Sequence, residues 1–266
     1  MNGWSFRMFR RRRSIAVVFA LTSAMLLPGC STLGPRADRA SNLSTASTAP
    51  VSYDAVAGLA KQWEANRGDL TRGLAYADAL ESIGQTDQQF DVYRQLAELN
   101  PGNAKLAGIY GRKLVAAGRS KDAVSILEQA EAAGGADWRI YSALGSAYDD
   151  QGLYDKARAQ YQKALALDAR NLSVMNNLGM SYALEGNLKQ AEATLRQADA
   201  MPRSKSEPRI RQNLALVVGL QGRFDEASSL ASEDLPPDQV AANMAYLKKM
   251  LSQPNTWQQI SEGGQG

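Results

Sequence analysis

Residues 138–171 read WRIYSALGSAYDDQGLYDKARAQYQKALALDARN, and these 34 residues decide the fold. Leu144-Gly145 opens the frame, and Tyr148 follows a turn later. Gly152 stands where a first helix should end, because glycine tolerates the left-handed conformation of a helix C-terminus. Ala157, Tyr161, Ala164 and Leu165 then lie on a second helix, and Asp168-Ala169 closes the unit. Gly145 has counterparts at Gly111 and Gly179, and Ala157 at Ala123 and Ala191, every step being 34 residues. Self-similarity at such a period marks a helix–turn–helix unit that stacks on its neighbours into a solenoid. A solenoid is a surface for holding partners before any residue is considered for chemistry.

The pattern of 138–171 resembles the tetratricopeptide repeat, with Ala169 where that family usually has proline. The following unit, 172–205, repeats it with Leu178, Gly179, Tyr182, Gly186, Ala191, Leu195 and Ala198. The preceding unit, 104–137, has Tyr110, Gly111, Leu114, Gly118, Ala123, Leu127 and Ala130. Before it, 70–103 carries Tyr76, Ala77, Leu80, Gly84, Tyr93 and Pro101, but departs at Gln89, where a small residue is expected. Two residues are inserted after Lys205, and a fifth, repeat-like unit spans 208–233 with Leu214, Ala215, Val218, Gly222, Phe224 and Ala227. Single hairpins cannot bury their apolar faces alone, so terminal units need caps. Residues 53–69 read as an N-terminal capping helix, and 236–252 as a C-terminal one with a Val240, Met244, Leu247, Leu251 stripe. In the tail, 253–266, Trp257 and Ile260 are expected to fold back on that cap, with 262–266 disordered. The fold class expected is all-α, a right-handed superhelical solenoid of tetratricopeptide repeats. The spacing predicts that Gly145 and Ala157 mark the closest approach of the two helices of one hairpin. Tyr148 and Tyr161 are expected to fill the space between neighbouring units.

The first 29 residues are read apart from the fold, as a signal peptide. Arg7 and Arg10 to Arg13 form a positive segment, and Ile15 to Leu27 is apolar but shorter than the roughly 20 residues of a spanning helix. Leu27-Pro28-Gly29-Cys30 resembles the bacterial lipobox. That resemblance implies lipid transfer to the Cys30 thiol, cleavage before Cys30 and acylation of the new N-terminus. A secretory leader cut elsewhere is the competing reading. Ser31 stands where an aspartate would signal inner-membrane retention, which implies the periplasmic leaflet of the outer membrane. Two or more acyl chains anchor stably, whereas one holds marginally. Residues 30–52, rich in Ser, Thr, Ala and Pro, read as a flexible tether.

The whole chain has 30 basic and 27 acidic residues, a net charge of +3. Removing the five arginines of the leader leaves 25 against 27, or −2. A basic nucleic-acid-binding protein is therefore not supported. The chain has no histidine, which removes histidine triads and histidine metal sites. Its one cysteine, Cys30, is assigned to lipid, which removes thiolate metal sites and cysteine nucleophiles. No phosphate-binding glycine loop is present, so no catalytic residue, metal or cofactor is expected. Asp149-Asp150 reads as a solvated helix end.

In this repeat family the first helix of each unit lines a concave groove, with its second, fifth, sixth, ninth and twelfth positions facing inward. These positions supply Arg139, Ser142, Ser146 and Asp149 in one unit and Ser173, Asn176, Asn177 and Met180 in the next. The last unit supplies Arg209, Gln212, Asn213 and Leu216. Arg139, Ser142, Ser146, Asn176, Asn177, Met180, Arg209, Gln212 and Asn213 are the candidate peptide contacts. The run Asn177, Arg209, Asn213 faintly resembles the carboxylate clamp of chaperone-binding repeats, without the further basic groups and asparagine that complete it. Tyr110, Tyr141, Tyr148 and Tyr161 are expected in the repeat core, with Tyr141 the most exposed.

The closing third is more distinctive. Residues 208–224 read PRIRQNLALVVGLQGRF, followed by Asp234-Leu235-Pro236-Pro237, by AANMAYL at 241–247 and by Asn255-Thr256-Trp257. With Asp137-Trp138-Arg139, this block resembles the TadD family, tetratricopeptide lipoproteins of the tight-adherence (Flp) pilus. The resemblance implies a non-enzymatic scaffold for pilus assembly, either a pilotin-like helper of the outer-membrane secretin or a brace for the periplasmic part of the machine. The alternatives are a repeat lipoprotein of general outer-membrane protein biogenesis or of another secretion system. An enzyme is the poorest reading, since no segment outside the solenoid is long enough for a catalytic domain.

Overall fold

The first helix of each regular unit begins at a side chain that caps it, and the caps keep the period. Asp69, Asn103, Asp137 and Asn171 each accept a hydrogen bond from a backbone N–H in the first turn that follows. Such caps satisfy donors that the helix itself leaves open. The first helix then ends at a glycine, and at Gly152 φ is +71°, a conformation that costs a residue with a Cβ. The computed structural model describes residues 52–135 and 137–252, all within the unit Ala49–Gly266. The leader, Cys30 and nearly all of the tether lie outside the described residues, as do Trp257, Ile260 and the rest of the tail.

All regular structure among the described residues is helical. Helix α1 (Tyr53–Glu64) precedes five hairpins: α2 (Leu70–Ser82) with α3 (Thr86–Leu99), α4 (Ala104–Ala116) with α5 (Ser120–Ala132), α6 (Trp138–Asp149) with α7 (Tyr154–Leu167), α8 (Leu172–Glu185) with α9 (Leu188–Asp199), and α10 (Pro208–Leu220) with α11 (Phe224–Ser232). Helix α12 (Pro237–Leu251) closes the stack. Each helix packs on the next, and first helices of successive units also meet, α4 on α6, α6 on α8 and α8 on α10. This is a superhelical solenoid. No described helix is long and apolar enough to cross a membrane.

At the insertion the fourth unit ends in a 3-10 helix, Pro202–Ser206, in which the buried Ser204 donates to the Asp199 carbonyl at 2.5 Å. The fifth unit lacks a side-chain cap, and Pro208 starts its first helix instead. At the N-terminal end Trp63 packs on Tyr76 at 5.5 Å and donates from Nε1 to the Arg67 carbonyl. At the other end Val240, Met244 and Leu247 bury the inner face of α12, while Leu251 is half-buried.

The nearest atoms to a Cβ on Gly145 would be in the ring of Tyr161, with Cε1 at 2.5 Å, and at the equivalent Gly179 the Ala191 carbonyl also comes within 3.5 Å. Gly111 stands in the same relation to Leu127, and Gly179 to Leu195. The glycine thus makes room for the large residue one turn beyond the alanine, and Ala123, Ala157 and Ala191 are fully buried beside it. Tyr161 therefore packs inside its own hairpin, and through Asp149 it also reaches Ser181 of the next unit. Gln89, the departure in the first unit, is buried with no hydrogen-bond partner for Nε2, and the Tyr93 hydroxyl one turn on also lacks one.

Candidate functional site

The first helices present their inward positions as a row of side chains joined across the units. Asn177 donates from Nδ2 to Ser142 Oγ at 3.4 Å, linking the third and fourth units. Asn213 donates from Nδ2 to Asn176 Oδ1 at 2.7 Å, linking the fourth and fifth. The faint clamp of Asn177, Arg209 and Asn213 is therefore divided. Asn177 bonds toward one neighbour and Asn213 toward Asn176, while among the described residues Arg209 reaches only Glu207, at 3.8 Å, and is largely exposed. Gln212 is half-buried, and Met180 packs half-buried against the cluster around Leu195 and Leu214.

In the third unit the inward row becomes a buried polar network. The Tyr161 hydroxyl donates to Asp149 Oδ2 at 2.9 Å and lies 3.2 Å from Ser146 Oγ. Ser181, fully buried on α8, donates to Asp149 Oδ1 at 2.6 Å. Asp149 is thus a bridge between α6, α7 and α8, which corrects the solvated helix end expected of it. Burial pushes its carboxyl up to about 6, against the pull of the Ser181 and Tyr161 hydrogen bonds. Asp150 is exposed but accepts from Ser120. Among the other tyrosines, Tyr110 is buried and stacks on Tyr93, and Tyr148 is buried and donates to Glu128 at 2.7 Å. Tyr141 is half-buried, with Lys163 Nζ 5.2 Å from its ring centre.

Between α4 and α6 the groove floor opens into a depression of about 380 Å³, walled by Val115, Ala116, Trp138 and Ala143 and rimmed by Arg112 and Arg139. Ser142 and Ser146 border the same space. The Arg139 guanidinium lies 4.6 Å from the Trp138 ring centre. Arg112 and Val115 occupy the ninth and twelfth places of α4, so the positional rule that named Ser146 and Asp149 would have found them had it been applied one unit earlier. Trp138 is the first residue of its helix and escapes that rule.

Residues 110–171 and 142–208 match the family model for the tetratricopeptide repeat. The fold is a tetratricopeptide-repeat solenoid. Solved structures of repeat proteins agree: YrrB, described as having an unusual peptide-binding site, superposes at a TM-score of 0.53 with 19% identity over 73% of this chain and 99% of its own. A thermophilic tetratricopeptide protein of Thermus thermophilus gives 0.54, with 23% identity over 67% and 98%. MamA from Desulfovibrio magneticus RS-1 gives 0.52, with 25% identity over 57% and 85%. Among curated sequences, the uncharacterised protein y4yS of Sinorhizobium fredii is 29% identical over 111 residues, 42% of this chain. The chain spans 60% of that relative's length. Tetratricopeptide repeats are protein-binding elements, and a scaffold for protein partners is the function class that this fold carries.

Proposed function

We propose that the chain is a lipid-anchored scaffold of the tight-adherence (Flp) pilus machine, held on the periplasmic leaflet of the outer membrane through Cys30. Its concave groove would hold a protein of that machine, with the outer-membrane secretin as the partner to test first. The observation that carries this reading is the closing block that resembles the TadD family. Two stretches of that block, separated in sequence, meet in the fold: Arg211 of the first and Asp234 of the second form a two-point ion pair at 2.8 and 2.6 Å. The stretches around Arg211 and Asp234 are thus held together at one end of the solenoid.

Deleting the gene is expected to abolish surface pili and attachment, and the intact gene should restore both. A deletion strain that displays pili and attaches normally overturns the pilus role. In the same strain a Cys30→Ser variant is expected to accumulate as unprocessed precursor. Normal maturation and membrane retention of that variant would reject the lipid anchor.

A further inference from the structure

We propose that the depression between α4 and α6 is the anchor point for an acidic segment of the partner protein. One large apolar side chain of that segment sits against Trp138 and Ala143, and carboxylates flanking it meet Arg112 and Arg139. This rests on the scaffold reading and gives the chemistry of what the groove holds.

Size comes first. About 380 Å³ lies at the lower end of the range of small binding clefts, enough for an aromatic or long aliphatic side chain. Its walls are mostly apolar, from Val115, Ala116, Trp138 and Ala143, with Ser142 and Ser146 at their border. An aromatic anchor in such a pocket is what typically dominates the binding energy of an interface.

Charge decides the class of partner. Arg112 and Arg139 stand on opposite helices at the rim. Among the described residues no carboxylate lies within ion-pair distance of Arg112, nor of Lys105, two turns earlier on its helix. Arg139 has, among the described residues, one carboxylate partner, Asp137, whose Oδ2 lies 3.7 Å away while its Oδ1 caps the helix, so the two rim arginines outnumber the one acid beside them. The acids on the neighbouring surfaces are engaged or set apart. Glu81 pairs with Lys113 at 2.5 Å, and Asp149 is turned into its network with Tyr161 and Ser181. Asp78 lies on α2, outside the rim. The rim is therefore a positive frame around an apolar floor, complementary to carboxylates placed on either side of an apolar residue.

The test uses the full chain in detergent micelles and three fluorescent, C-terminally amidated peptides read by anisotropy. The first is Gly-Asp-Glu-Gly-Phe-Gly-Glu-Asp-Gly. The second has lysine at every acid, and the third has alanine for phenylalanine. The acidic peptide is expected to bind, with affinity falling as salt rises. Both counterparts should bind roughly tenfold more weakly or worse. Reversing the rim with Arg112→Glu and Arg139→Glu should invert the preference between the acidic and lysine peptides. Ala143→Trp, which fills the depression, should abolish binding of the acidic peptide with the helical circular dichroism unchanged. An unaltered preference in the reversed variant, equal binding of acidic and lysine peptides, or no binding of the acidic peptide each overturns the anchor. The scaffold reading has its own readout. A reversed variant that still supports normal pili in the deletion strain places the essential contact elsewhere on the solenoid, whereas loss of the pilus phenotype on deletion stands regardless of the peptides.

Discussion

Arg211 donates from Nε and Nη2 to the two oxygens of Asp234, at 2.8 and 2.6 Å, with both side chains about one-tenth exposed. Asp199 and Glu233 lie further off at 3.7 and 3.4 Å, so one guanidinium ties the fourth unit, the fifth unit and the turn before α12 together. Burying a charge is costly, and removing one partner leaves the other uncompensated. Arg211→Ala is expected to destabilise the chain by about 3 kcal/mol. Replacing both residues with leucine should cost less than the single change, because no charge is then left buried. Urea melts of the two variants check this, and equal losses for the single and double variants would show that the pair is not coupled.

A methyl group at position 145 separates two kinds of glycine. It would meet a tyrosine ring that is held by its hydroxyl on Asp149. At Gly219 the nearest atom is the Leu247 Cδ1 methyl at 2.8 Å, the far end of a buried side chain on the closing helix that no hydrogen bond holds in place. Alanine gains about 1 kcal/mol over glycine in a helix interior. Overpacking costs about 1–3 kcal/mol where the neighbour cannot move. Gly145→Ala should therefore lower the melting temperature, while Gly219→Ala should be neutral or raise it. The opposite order in thermal melts would contradict the rigid Gly145–Tyr161 contact.

These two cases show what the sequence reveals and where it stops. A period of 34 residues is visible because each unit buries the same positions, so the hairpin pattern can be read off Gly145 and Ala157 alone. What a residue touches across the stack is not periodic in that way. The partner of Gly145 is a tyrosine here and a leucine at the equivalent contact of Gly111, which spacing does not distinguish. Asp149 looks like a solvated helix end until Ser181, 32 residues away, is brought over it. Arg211 left a readable trace. The fourth place of the first helix is Gly73, Ala107, Tyr141 and Met175 in the other units, and an arginine there signals a buried pair. Its partner in a loop 23 residues on is a matter of tertiary structure alone.

Groove residues should separate into those that hold the stack and those left for a partner. Asn176 is only 8% exposed, and its side-chain carbonyl accepts from Asn213. Asn213→Ala leaves that acceptor unpaired, at a cost of about 1–3 kcal/mol. Arg209 is exposed, and Arg209→Ala should stay within about 0.5 kcal/mol of the parent. Denaturant midpoints decide it, and an Asn213→Ala variant as stable as the parent would return both asparagines to the list of free peptide contacts.

The pH dependence of stability should carry the mark of Asp149. Desolvation raises its pKa to about 6 from an ordinary 3.8, aided by Asp150 and opposed by Ser181, Tyr161 and Arg158. Between those two values the folded chain keeps a proton that the unfolded chain has released, so unfolding is favoured as pH rises. The stabilising contribution is complete below about 3.8 and is gone once pH has passed about 6. Burial raises the Asp78 carboxyl as well, so it acts in the same direction. Glu192 acts in the opposite one. Its hydrogen bond from Arg223 holds it at about 2, below its ordinary 4.5, so its contribution is lost only as pH falls below that value. Urea midpoints measured from pH 5 to pH 7 isolate the raised carboxyls. They should decline across that interval, and Asp149→Asn should flatten the decline without removing it. Ser181→Ala removes a hydrogen bond that favours the charged carboxylate, so the declining limb should move to higher pH. A slope unchanged by Asp149→Asn would mean that another group titrates there.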